Sequence, residues 1–155
     1  MTSLADGQKI PAFIANATGG QQLTPANLIG TKTVFYFYPK DHTPGCTQEG
    51  QDFRDAFDDF KQAGCQIFGI SRDSLKTHEN FRQKQDFPFH LISDTDETLC
   101  RLFDVIKLKK LYGKEYLGIE RSTFLIDTEG KLAKSWRKVG VKGHVAEVLE
   151  ACRSL

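Results

Sequence analysis

The chain has 155 residues and a formal net charge of +1, with 21 Lys and Arg against 20 Asp and Glu. That length suits a single domain, residues 1–155, with room for a hydrophobic core. The balanced charge offers no concentrated basic surface, so nothing points to a nucleic-acid or membrane partner.

The opening residues, MTSLADGQKIPAF, lack a basic segment followed by an apolar run, so no secretory signal is visible. Phe13 to Ala17, a Gly19-Gly20 turn and Gln21 to Leu23 predict a small N-terminal hairpin. Thr33 to Tyr38 is rich in β-branched and aromatic residues and predicts a buried strand, ended by Pro39. Its apolar run is far shorter than the about 20 residues needed to span a bilayer, so the expectation is a cytoplasmic protein. A long helix follows, with Thr43 as N-cap, Pro44 in the first turn and Gly64 as the stop. Phe53, Phe57 and Phe60 recur at helical spacing and are expected to face inward.

Gln66 to Ser71 predicts a second buried strand, Ser74 to Asp86 a polar helix, and His90 to Ser93 a short strand. Asp94 or Thr95 can cap a helix carrying Leu99, Leu102 and Phe103. Lys107, Lys109 and Lys110 form the one dense basic cluster and read as a solvated loop. Gly113 and Gly118 suit turn or bulge positions in the same stretch. Thr123 to Ile126 and Leu132 to Lys138 flank a turn at residues 127–130. His144 to Ser154 closes the chain as a helix with Val145, Val148 and Leu149 inward. This alternation favours an α/β fold with a central mixed sheet flanked by helices. Chemistry in such folds gathers at the carboxyl ends of the strands, where the loop Lys40 to Gly45 falls.

The four cysteines are Cys46, Cys65, Cys100 and Cys152. They are too scattered for a secreted disulfide scaffold, and none forms a CxxC pair, so no metal site is expected. Cys46 stands in the first turn of a predicted helix, where free N–H groups and the helix dipole favour an anion. Ionisation alone gains only about 30-fold in thiolate at neutral pH. A fast reaction also needs donors that hold a substrate and stabilise charge as it develops. Thr43 and Arg121 are the candidates. His42 could act as a base but reads as a loop residue.

Residues 38–49, Tyr-Pro-Lys-Asp-His-Thr-Pro-Gly-Cys-Thr-Gln-Glu, resemble the active-site motif of peroxiredoxins. The long form of that motif is similar to the bacterioferritin comigratory protein (PrxQ) subfamily. Gly118 to Asp127 resemble that subfamily's later strand motif. The resemblance implies a thioredoxin-like fold with no cofactor, and reduction of hydrogen peroxide and organic hydroperoxides. It implies Cys46 as the attacking thiolate that becomes a sulfenic acid, with the Thr43 hydroxyl orienting thiolate and peroxide. Arg121 would stabilise the thiolate and bind the peroxide. Pro39 would limit water access, the N–H groups of Gly45 and Cys46 would complete the cradle, and Glu49 would fix the arginine side chains. Arg54 is a weaker neighbour of the site. The subfamily leans towards a monomer.

One departure matters. Many PrxQ proteins carry a resolving cysteine five residues after the attacking one, where this chain has Gln51. Others place it in the following helix, which has no cysteine here. Cys65 lies about 27 Å along the intervening helix from Cys46, against the roughly 7 Å between α-carbons that a disulfide allows, and reads as core. Cys100, near the start of its helix, and Cys152, near the chain's end, are the remaining candidates for a resolving role. The expectation is a one-cysteine cycle in which thioredoxin, glutaredoxin or glutathione reduces the sulfenic acid. The alternatives are a peroxide-sensing redox signalling protein and an inert or chaperone-like scaffold.

Overall fold

The computed structural model describes residues 4–155. Seven strands form one mixed sheet. In chain order they are β1 (Ala15–Ala17), β2 (Gln21–Leu23), β3 (Lys32–Phe37), β4 (Cys65–Ser71), β5 (His90–Ser93), β8 (Ser122–Ile126) and β9 (Leu132–Trp136). Their spatial order is β2-β1-β5-β4-β3-β8-β9. β3, β4 and β5 run parallel, and every other pairing in the sheet is antiparallel. β1 and β2 make the expected N-terminal hairpin. The helices are α1 (Pro44–Asp55), α2 (Phe57–Gln62), α3 (Leu75–Gln85), α4 (Thr98–Leu102) and α5 (His144–Ser154).

β3 is buried on both faces, as its apolar run requires. Its side chains alternate between two cores. Val34, Tyr36 and Tyr38 join Phe53 of α1, Phe60 of α2, Phe81 of α3 and Val148 of α5. Phe35 and Phe37 join Leu99 of α4 with Phe103 and Phe124 on the opposite face. The period of two in β3 thus splits one strand between two layers of helix.

Two expectations change. The helix from Pro44 is not continuous: it breaks at Ala56, which caps α1 and precedes α2. In a straight helix Phe53 and Phe60 would stand about 10.5 Å apart along the axis. Across the break the two rings lie 5.7 Å apart in the same core, and Phe57 is only partly buried. The basic stretch after Val105 is not a loop. β6 (Ile106–Leu111) and β7 (Lys114–Ile119) form a separate antiparallel hairpin, turned at Tyr112 and Gly113, both with positive φ. Gly118 lies within β7. Regular alternation is hidden in this hairpin because most of its side chains are exposed on both faces.

Phe53 stacks on Tyr36 at 4.5 Å and is fully buried. Replacing Phe53 by Ala is expected to cost about 3–5 kcal/mol. Urea unfolding should show this as a lower midpoint with an unchanged slope.

Candidate active site

α1 begins immediately beyond the carboxyl end of β3. Pro44 occupies the first helical position, and the first ladder bond runs from the Thr47 N–H to the Thr43 carbonyl at 2.9 Å. The N–H groups of Gly45 and Cys46 therefore precede the helical ladder and face the helix end, where negative charge is favoured. Thr43 stands at the N-cap position, but its hydroxyl does not cap. It donates to the Lys40 carbonyl at 2.7 Å, which commits its proton and leaves its lone pairs as acceptors. Cys46 is 2% exposed. Pro39 is half-buried between β3 and the loop.

Arg121 lies between β7 and β8, and the β3–β8 register sets Phe37 opposite Ser122. The guanidinium is thereby carried to the start of α1. Nη2 donates to Cys46 Sγ at 3.4 Å and Nη1 to Glu49 Oε1 at 2.5 Å. A Cβ on Gly45 would lie 3.2 Å from Nη2, so glycine at this position keeps the guanidinium close to the first turn. Burial works to lower the Arg121 pKa, and the charges of Glu49 and Cys46 more than offset it, so the net shift is upward.

Glu49 sits one turn after Cys46 and is fully buried, with Oε2 lacking a hydrogen-bond partner. Burial pushes its carboxyl up to about 7 despite the opposing pull of Arg121. Both partners are raised: burial wins at the carboxylate and the pairing wins at the guanidinium.

A second buried network holds the loop from the other side. The Tyr38 hydroxyl donates to Asp41 Oδ1 at 2.6 Å, and His78 Nδ1 of α3 lies 2.5 Å from Asp41 Oδ2. His78 Nε2 lies 2.9 Å from the Ile92 carbonyl, and the Asp41 N–H donates to Asp73 Oδ2 at 2.9 Å. Ligand atoms of Asp41, Asp73 and His78 fall within 4.8 Å of one another, a spacing that could admit a cation, yet hydrogen bonds already engage all three residues. Nothing local in the sequence marks His78, because its partner lies on a separate element. His42 adopts a positive φ and sets its exposed ring 5.0 Å from Phe81.

Lys109 of β6, not singled out from the sequence, feels the charge of the site. Burial and the neighbouring Arg121 charge push its pKa down, with Cys46 opposing. β6 brings it to the site across the bare face of Gly118, where an added Cβ would lie 3.2 Å from Lys109 Cδ. Arg54 points elsewhere and donates to the Gln85 carbonyl at 2.8 Å. Gln51 donates to Gln85 Oε1 at 2.9 Å, tying α1 to the end of α3.

The other thiols are buried away from Cys46. Cys100 lies in α4 with its N–H donating to Asp94 Oδ2 at 2.7 Å. Burial and the Asp94 carboxylate push its thiol far up. Asp94 also accepts from the Leu99 N–H, so it caps α4 as expected, although Glu97 is the residue at the boundary. Cys65 opens β4 opposite Lys32 of β3, whose ammonium donates to the Cys152 carbonyl at 2.8 Å, so both cysteines lie at the amino end of these strands. β3 from Lys32 to Tyr38 puts about 20 Å between that end and the loop.

The sequence matches the AhpC/TSA family over residues 7–135. Peroxiredoxin Bcp of Xanthomonas campestris is 56% identical over 137 residues, 88% of this chain and 86% of that protein. A cysteine mutant of PrxQ from Xylella fastidiosa superposes with a TM-score of 0.93 at 39% identity, over 99% of this chain and 98% of that one. The bacterioferritin comigratory protein of X. campestris, solved as a trapped intermediate/ligand complex bearing on its alkyl peroxide reduction activity, gives 0.87 at 53% identity, over 92% and 90%. The chain belongs to the AhpC/TSA family of peroxiredoxins, in its Bcp, or PrxQ, branch. The fold is thioredoxin-like, and the family's chemistry is thiol peroxidase chemistry.

A raised carboxyl pKa means that the folded protein holds the Glu49 proton more tightly than the unfolded chain does. The stability this contributes is complete below the ordinary value of 4.5 and is lost as pH rises through about 7. Glu49→Gln removes the titration. Its stability relative to the parent is expected to rise by roughly 3 kcal/mol between those pH values, measured by denaturant unfolding across the range.

Proposed function

We propose that the chain reduces hydrogen peroxide and organic hydroperoxides at Cys46 in a one-cysteine cycle completed by an external thiol. The observation that carries this reading is the Arg121 guanidinium shared between Cys46 Sγ and the buried Glu49. The reported alkyl peroxide reduction by the X. campestris relative supports the substrate class.

In this cycle the Cys46 thiolate attacks one peroxide oxygen and the O–O bond breaks. The leaving alkoxide takes a proton and departs as alcohol, or as water from hydrogen peroxide. Cys46 is left as sulfenic acid. The Thr43 lone pairs accept a hydrogen bond from the peroxide O–H, whose proton stays on the sulfenic oxygen, while Arg121 and the N–H groups of Gly45 and Cys46 stabilise the charge that develops until the leaving alkoxide takes a proton from solvent. Glu49 acts through Arg121 and not on the peroxide, and Pro39 shields the loop from water. An incoming thiol then displaces water from the sulfenic sulfur, and a second thiol releases Cys46 from the mixed disulfide. Thioredoxin, glutaredoxin and glutathione all supply that chemistry. Dependence on such reductants accords with a cytoplasmic setting, and the cycle needs only one copy of the chain.

Two features support the one-cysteine form. Gln51, where subfamily members carry a resolving cysteine, is bonded into the α1–α3 contact. Cys100 and Cys152 are both buried, with thiols held protonated. A resolving thiol must attack as thiolate and reach bonding distance.

Arg121→Ala is expected to slow peroxide reduction about 100- to 1,000-fold, as loss of a preorganised donor does, in stopped-flow measurements. One equivalent of hydrogen peroxide followed by dimedone should give a single adduct on Cys46 with three thiols still free. Loss of two thiols, with Cys46 linked to Cys100 or Cys152, would overturn the one-cysteine cycle. Stoichiometric oxidation without turnover on any thiol donor would favour the sensor instead.

A further inference from the structure

The Thr43 hydroxyl is oriented by a peptide unit, and that peptide is held by a residue outside the loop. Thr43 Oγ1 donates to the Lys40 carbonyl at 2.7 Å. The other end of the same peptide is the Asp41 N–H, which donates to Asp73 Oδ2 at 2.9 Å. In a planar trans peptide the C=O and N–H point in opposite directions, so a partner on the N–H fixes where the carbonyl aims. Asp41 is tied down a second time through its carboxylate, which accepts from Tyr38 and meets His78. Asp73 itself is anchored to the sheet. Its Oδ2 also accepts from the Ser71 hydroxyl at 2.5 Å, and its carbonyl accepts from the Ser93 hydroxyl at 2.6 Å. Ser71 ends β4 and Ser93 ends β5. An aspartate just before a helix most often serves that helix's own N–H groups. Here Ser74 caps α3, accepting from the Thr77 N–H at 3.2 Å, and the Asp73 carboxylate serves the loop before α1 instead.

We propose that Asp73 is a positioning residue of the peroxidase site. It holds the Lys40–Asp41 peptide so that the Thr43 proton stays on the Lys40 carbonyl and the Thr43 lone pairs stay turned to the peroxide. Asp73 acts on Cys46 chemistry only through Thr43, so its role rests on the reading of Thr43 given above. Without the Asp73 acceptor the peptide is free to turn and its carbonyl swings away from Thr43. The hydroxyl then donates elsewhere, with the wrong polarity toward the peroxide O–H. Misplacing a group that orients a reactant costs up to about 100-fold in rate. A single oxygen of Asp73 takes both the Ser71 and the Asp41 bonds, so the task needs an acceptor at this place and not a charge. The sign separates the two. A carboxylate acting by charge alone disfavours a thiolate, so removing it would help Cys46 to ionise. Removing a positioning acceptor slows the reaction.

Stopped-flow rate constants for oxidation of Cys46 by hydrogen peroxide test this in a double-mutant cycle. Asp73→Ala is expected to slow oxidation about 10- to 100-fold in the parent, but by no more than about twofold in the Thr43→Val background, where no hydroxyl is left to orient. Asp73→Asn, whose amide oxygen can accept both bonds, should keep the parent rate within about threefold. Alkylation of Cys46 by iodoacetamide, which uses the thiolate without a peroxide to orient, should change far less in Asp73→Ala than peroxide oxidation does. Ser71→Ala keeps Asp73 but frees its carboxylate. It should give a smaller loss that also vanishes with Thr43→Val, so the question stays decidable if Asp73→Ala does not fold. Equal slowing by Asp73→Ala with and without the Thr43 hydroxyl, or slowing by Asp73→Asn as large as by Asp73→Ala, would overturn the proposal. A Thr43→Val variant that reacts at the parent rate would overturn it by a separate route, because the role of Thr43 itself would then fail with the Asp73 contacts intact.

Discussion

The antiparallel pairing of β3 with β8 is the constraint on which the chemistry depends. Arg121 and Cys46 are 75 residues apart in sequence, and neither element alone says that they meet. The register that places Ser122 opposite Phe37 sets Arg121 at the carboxyl end of β3, where α1 begins. A shift of one residue would turn the buried side chains of β8 to the wrong core, so the hydrophobic pattern enforces the register and the register delivers the guanidinium. Packing and the Arg121–Cys46 contact are fixed by the same ladder.

The start of α1 and the loop before it are held from two sides. Arg121, from the β8 side, pairs with Glu49 of α1, and Asp41 of the loop bonds to Tyr38 and to His78 of α3. Removing one partner from a buried polar contact leaves an unsatisfied group, which makes both contacts costly to release. Close packing adds to this: a Cβ on Gly50 would fall 2.3 Å from the Phe87 ring, so α1 lies against that ring without slack. An intramolecular disulfide at Cys46 would have to unwind the first turns of α1 against these contacts. Attack by an external thiol on a sulfenic acid in place avoids that cost.

The four thiols show how environment divides one side-chain type into different chemistries. Cys46 sits at a helix end beside a guanidinium. Cys100 faces a carboxylate in a dry core and is kept protonated. Cys65 and Cys152 lie at the other end of the sheet, near Lys32. Composition counts four equal residues, and the distribution of fixed charge around them makes them unequal.

Much of this was readable from local patterns. The aromatic strand before Pro39, the N-terminal hairpin, the helix at Ser74, the hairpin around Asp127 and the closing helix all depend on periodicity, caps and turns that act over a few residues. Cys46, Thr43 and Arg121 were legible through two separated motifs. What local signals could not supply were relations between distant elements. The break at Ala56 interrupts a pattern that reads locally as one helix. The β6–β7 hairpin was hidden because it has little buried face to create alternation. The role of His78 depends on an aspartate 37 residues away. The raised carboxyl of Glu49 comes from burial beneath the assembled sheet. The sequence alone determined the elements and the reactive motif, because those energies are local. Which charges face each other, and in how dry a setting, was decided only by tertiary structure, because Coulomb and desolvation energies depend on distances that exist only once the strands have found their register.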